Sequence, residues 1–141
     1  MISATVADCM SRKFARISPD MPVVEASGRL IKQEMYGGPV LDDLGVLVGW
    51  ISEQECLQVT MQVVYHNQRV AKVRDIMRTD VLFVRDEDDP LALAEQMLLQ
   101  KPKSYPVVDA RRKVIGVVTR RHVLQLLDKK LAEQTRFVPQ A

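Results

Sequence analysis

Val114-Ile115-Gly116-Val117-Val118-Thr119-Arg120-Arg121-His122-Val123-Leu124 reads as an apolar strand, interrupted once by glycine, running into a hydroxyl residue that can cap a helix. The same pattern stands 67 positions earlier as Leu47-Val48-Gly49-Trp50-Ile51-Ser52-Glu53-Gln54-Glu55-Cys56-Leu57. Two further blocks keep that offset. Val6-Ala7-Asp8-Cys9-Met10 matches Val73-Arg74-Asp75-Ile76-Met77, and Gly38-Pro39-Val40-Leu41-Asp42 matches Tyr105-Pro106-Val107-Val108-Asp109. Three matched blocks in one order and at one spacing make the chain a tandem duplication.

With 141 residues, 47% hydrophobic and 27% charged, the chain has the composition of a globular domain, or of two half-domains sharing a core. A formal charge of +2 supplies no basic stripe of the kind nucleic acid needs, so nucleic acid is not an expected partner. The N-terminal segment carries Asp8, Arg12 and Lys13 and has no secretory apolar core. No run approaches the roughly 20 apolar residues of a membrane span. A cytoplasmic location and no membrane partner are the expectation. Cys9 and Cys56 have no metal-ligand spacing and read as reduced core thiols.

Each half reads as strand, helix, strand, strand, helix in about 60 residues, too little to bury a comfortable core alone. The halves divide as residues 1–66, with an N-terminal lead-in, and 67–141, with a C-terminal tail from Arg136. Val6 and Met10 suit a small cap resting on the first strand, Lys13–Ile17. A helix begins at Pro22, carries Val23, Ala26, Leu30 and Ile31 inward, and is expected to stop at Gly37-Gly38. Pro39–Leu41 and Val46–Ile51 form a hairpin turned by Asp42–Gly45. The second half repeats this with a strand at Val81–Val84, a helix from Pro90 behind the carboxylates Asp86–Asp89, a break at Lys101–Lys103 and a hairpin through Ala110–Lys113. Asp8 and Asp75 read as braces of a helical turn. The helices starting near Glu53 and Arg120 are apolar over more than one stripe, and this matched width favours a dimer interface.

The Val-x-Asp-x-Met lead-in, the Pro-Val-x-Asp strand and the Gly-x-x-Ser/Thr strand entering a helix together resemble a pair of CBS domains, named after cystathionine β-synthase. The resemblance covers residues 6 to about 130 and is of the stand-alone, bacterial type. It implies a mixed α/β (α+β) fold in which two β-α-β-β-α repeats pack about a pseudo-twofold axis, with ligand clefts between them. It also implies a regulatory module without chemistry of its own, binding ATP, ADP, AMP or S-adenosylmethionine and requiring no cofactor. Such pairs associate as flat homodimers through their helices and act on a protein partner that this sequence leaves unknown.

Carried over by position, the resemblance implies Ser52 and Glu55 in one half, with Ile17 and Val40 as adenine neighbours. In the other half it implies Thr119 and His122, with Val84 and Val107. The family places an aspartate where Glu55 and His122 stand. Glu55 retains a carboxylate that can grip a diol, whereas His122 offers at most one acceptor. The cleft of Ser52 is therefore expected to suit ribose, and that of Thr119, with Arg120 and Arg121 beside it, to suit phosphate. Ser52 and Glu55 also fit a capping box, and Thr119 a plain N-cap. A structural scaffold with vestigial clefts is the alternative function. No phosphate-binding loop, metal motif or nucleophile elbow supports an enzyme.

Overall fold

A computed structural model describes residues 3–99 and 102–135, with side chains to 134. The expected tail from Arg136 lies outside these residues. The first half contains a 3-10 turn at Val6–Asp8, α1 (Val23–Lys32), β1 (Gly37–Leu41), β2 (Leu47–Ser52) and α2 (Glu53–His66). The second contains α3 (Val73–Ile76), β3 (Val84–Arg85), α4 (Pro90–Leu99), β4 (Ser104–Val108), β5 (Val114–Thr119) and α5 (Arg120–Thr135). The mixed α+β architecture read from the sequence is the one observed.

The duplication reappears as register. β1 pairs antiparallel with β2, Val40 opposite Gly49, and β4 with β5, Val107 opposite Gly116. Ile17 bridges Val40 in parallel as Val84 does Val107. Asp42 Oδ1 accepts the amides of Leu44 and Val46, each at 2.9 Å, and Asp109 Oδ1 those of Arg111 and Lys113 at 2.8 and 3.0 Å. The repeated aspartate therefore shapes a hairpin turn, a role its short acceptor arm suits. The two sheets meet at the bridge between Val46 and Lys113. There Leu47 N donates to Arg112 O at 3.2 Å and Val114 N to Gly45 O at 3.0 Å. These two bonds are equivalents under the offset, so the pseudo-twofold axis passes between them. Phe14, Leu41, Leu47, Val108, Val114 and Val117 form the apolar core beside it.

The lead-ins are exchanged. Ser11 bridges Val117 in the second half, and Arg78 bridges Trp50 in the first. Val6 and Ala7 donate to Asp88 O and Asp86 O at 3.0 and 2.9 Å. Val6 is buried in the second core with Val84, Tyr105 and Val118, whereas Val73 belongs to the first with Ile17, Val40 and Ile51. The expected cap on the first strand is thus corrected: each lead-in seals the other repeat's sheet. The glycines of β2 and β5 make room for it. A Cβ on Gly49 would lie 2.6 Å from Met77 Sδ and 2.8 Å from Arg78 O; one on Gly116 would lie 2.7 Å from Ser11 O and 2.9 Å from Met10 Sδ. The repeated Met and the repeated Gly are contacts across the pair. Asp8 and Asp75 brace their turns as expected, accepting Thr5 N at 2.8 Å and Lys72 N at 3.2 Å.

Three boundaries differ from the sequence reading, one of them the strand expected at Val81–Val84, which forms only as β3 at Val84–Arg85. Lys13–Ile17 is extended chain that meets β1 through a single bridge, Ile17 to Val40, where its equivalent β3 makes two consecutive pairs with β4. α1 ends at Lys32, and Gly37 and Gly38 lie inside β1. The stop is a Schellman arrangement: Glu34 N donates to Ile31 O at 3.1 Å and Met35 N to Leu30 O at 3.0 Å. Glu34 takes the left-handed position, φ 54°, that glycine usually fills.

Candidate functional site

A cavity of about 1230 Å³ opens between the repeats. Its floor is apolar, from Leu30 and Met35 around the end of α1, Cys56 and Leu57 of α2, and Val117 of β5. The first half adds Ser11, Lys13, Tyr36 and Gly37; the second adds Lys103, Ser104, Thr119, Arg120, Arg121 and His122. Four cations, Lys13, Lys103, Arg120 and Arg121, face two carboxylates, Glu34 and Glu53. None of the four cations is in an ion pair among the described residues. An apolar floor with a wall of net positive charge suits a ligand that is flat at one end and anionic at the other.

The entry to α5 is built from the backbone up. Arg120 N donates to Lys103 O at 3.1 Å, tying the helix start to β4, as Glu53 N ties to Tyr36 O at 2.8 Å in the first half. His122 N donates to Thr119 Oγ1 at 3.2 Å, and Thr119 N donates to His122 Nδ1 at 3.1 Å. This is a capping box closed by an imidazole. Burial holds the His122 pKa below its ordinary value. At α2, Glu55 N donates to Ser52 Oγ at 3.2 Å, while Glu55 Oε1 accepts Ser52 N and Ser52 Oγ, each at 2.9 Å. The two caps are equivalents under the offset, made with different chemistry. Cys56, in the floor, carries a thiol whose pKa burial pushes up, and Cys9 is pushed up for the same reason; both are free. A thiol held protonated is a poor nucleophile, in keeping with a packing role.

Of the anticipated residues, Thr119, Arg120 and His122 come together on the cavity wall. Ser52 and Glu55 close on each other outside that wall, although their neighbours Glu53 and Gln54 line it. Ile17, Val40, Val84 and Val107 are packed in the two cores and are not among the residues that line the cavity. Thr119 and His122 face Ser11, Lys13 and Tyr36 of the first half rather than Val84 and Val107 of their own. The cause is the exchange of lead-ins. Lys13, Glu34, Tyr36 and Lys103 were not anticipated; they flank the motifs without repeating in type, and only the crossing of the two halves brings them together.

The family model of the CBS domain matches residues 6–61 and again 73–129. The CBS-pair protein CBSX2 of Arabidopsis thaliana is 28% identical, with a TM-score of 0.80 over 93% of this chain and 99% of its own. CBSX2 in complex with AMP is 29% identical, with a TM-score of 0.78 over 91% and 98%. The CBS domain pair of protein MJ0100, in complex with 5′-methylthioadenosine and S-adenosyl-L-methionine, is 25% identical, with a TM-score of 0.73 over 88% and 99%. Inosine-5′-monophosphate dehydrogenase of Methanocaldococcus jannaschii is 28% identical over 109 residues, 77% of this chain. The chain spans 21% of that enzyme's length, and 56% of protein MJ1004 from the same organism. Two matched repeats over most of its length, each sealing the other's sheet, establish that the chain belongs to the CBS domain family, as a tandem pair.

Proposed function

We propose that this chain is a non-catalytic regulatory module that binds an adenosyl ligand, ATP, ADP, AMP or S-adenosylmethionine, in the cavity between its repeats. The observation that carries the reading is the wall itself. An apolar floor of Leu30, Met35 and Val117 suits a purine, and Lys13, Lys103, Arg120 and Arg121 suit phosphate or another anionic group. The AMP complex of CBSX2 and the complexes of the MJ0100 pair support an adenosyl ligand here. Such a ligand touches both repeats at once. It signals only through a difference in affinity for two packings of them, which a protein partner then reads.

Dimerisation belongs to the same reading. Leu57 and Val64 on α2, and Leu124 and Leu131 on α5, are exposed at equivalent positions and form paired apolar stripes suited to a second copy. Among the described residues no helix is long and apolar enough to cross a membrane. A cytoplasmic location is consistent with the free thiols Cys9 and Cys56.

Thermal unfolding with each of the four ligands tests the proposal. A ligand at 100-fold its Kd adds about 2.7 kcal/mol to the native state and raises the midpoint. No shift with any of them would leave a scaffold with vestigial clefts as the function.

A further inference from the structure

The two helix entries carry the same box with opposite polarity. Glu55 engages its cap through Oε1 alone, and its Oε2 has no hydrogen-bond partner among the described residues, so an acceptor remains. His122 is different. Its Nδ1 lone pair takes the Thr119 amide, which places the ring proton on Nε2 by hydrogen-bond geometry. Nε2 has no partner among the described residues, and His122 lines the cavity. What the ring has left is a single N–H donor, with no acceptor for a diol.

We infer that His122 sets the ligand polarity of this cleft: beside α5 it takes a phosphate oxygen and rejects a ribose diol. The inference rests on the adenosyl reading above and specifies which part of that ligand meets the helix entry. The cations Arg120 and Arg121 from α5, Lys103 from the β4 entry and Lys13 from the exchanged lead-in face the same space, against Glu53 of α2 and Glu34 beyond α1. A phosphate oxygen accepts from Nε2–H and from the guanidinium groups together. A diol presents two hydroxyl protons and finds no carboxylate at this position. Burial, which favours the neutral ring, keeps the Nδ1 acceptor available to Thr119.

The test exchanges donor for acceptor without losing the cap. His122→Asn accepts the Thr119 amide through its oxygen and keeps an N–H₂ for the cavity. His122→Asp accepts it as Asp8 accepts Thr5 N at 2.8 Å elsewhere in this chain, but presents a carboxylate. Titration calorimetry of the full chain near neutral pH uses inorganic tripolyphosphate, which has no sugar, and adenosine, which has no phosphate. The wild type and His122→Asn bind tripolyphosphate within about threefold of each other, His122→Asp binds it about tenfold or more weakly, and His122→Asp gains affinity for adenosine. Tripolyphosphate affinity unchanged in His122→Asp, or reduced equally in both variants, overturns the inference; if the wild type then still binds AMP, the adenosyl reading survives. A wild type that binds neither probe and no adenosyl ligand overturns both.

Discussion

Alanine at Gly116 would test the exchange of lead-ins directly. Its Cβ would sit 2.7 Å from Ser11 O, 2.9 Å from Met10 Sδ and 3.2 Å from Met10 Cγ. The thioether can swing aside. The carbonyl cannot, because Ser11 O accepts from Val117 N at 2.9 Å while Ser11 N donates to Val117 O at 2.8 Å. Overpacking of this kind costs about 1–3 kcal/mol. Losing the two bridge bonds adds about 0.5–1.5 kcal/mol each. A loss of about 2–6 kcal/mol is therefore expected, a large share of the 5–15 kcal/mol typical of a domain. Gly28→Ala is the matched control: it lies within α1 with nothing inside 4 Å of the added Cβ, so about 0.5–1 kcal/mol of stabilisation is expected. Urea unfolding reads both, as midpoints moving in opposite directions at a constant slope. Ser11 and Val117 also line the cavity, so ligand-induced stabilisation should shrink in Gly116→Ala. A Gly116→Ala protein as stable as the wild type would refute the argument, since it would mean that the lead-in does not cross β5.

Glu34→Gly should stabilise the chain by about 1 kcal/mol by relieving the left-handed backbone at the end of α1, seen as a raised thermal midpoint. Leu124→Asp places a charge on a residue 66% exposed, within the stripe proposed as an interface, and should halve the mass measured by light scattering at concentrations where the wild type is dimeric. Acid should weaken the α5 cap. The His122 pKa is lowered in the fold, so its contribution is present above the ordinary imidazole value near 6.5 and is lost as pH falls through the lower folded value. The melting temperature should accordingly fall further between pH 7.5 and 5.5 in the wild type than in His122→Asn; equal falls would contradict the neutral, accepting ring.

The duplication and the fold class were legible because each repeated motif has a local cause written in one residue. Asp42 and Asp109 turn hairpins through their own side-chain oxygens, and Ser52 and Thr119 cap helices three residues ahead. The end of α1 is not legible in the sequence because Glu34 does the work usually left to glycine, while the nearby Gly37-Gly38 carries the more familiar signal. Ile17 and Val40 were anticipated beside the ligand because strand residues next to a cleft cannot be divided into wall and core by spacing alone. Only packing shows that their side chains point into the first core.

By itself, then, the order of residues determined two equivalent half-folds, their turns and caps, and the cationic, histidine-bearing start of α5, since all of these depend on neighbours a few positions apart. The tertiary structure decided which half completes which. Neither sheet can cover its own apolar face, so each lead-in crosses to the other, Met10 onto Gly116 and Met77 onto Gly49. That crossing carries Ser11 and Lys13 to Thr119 and His122, and it creates a site that belongs to neither repeat alone.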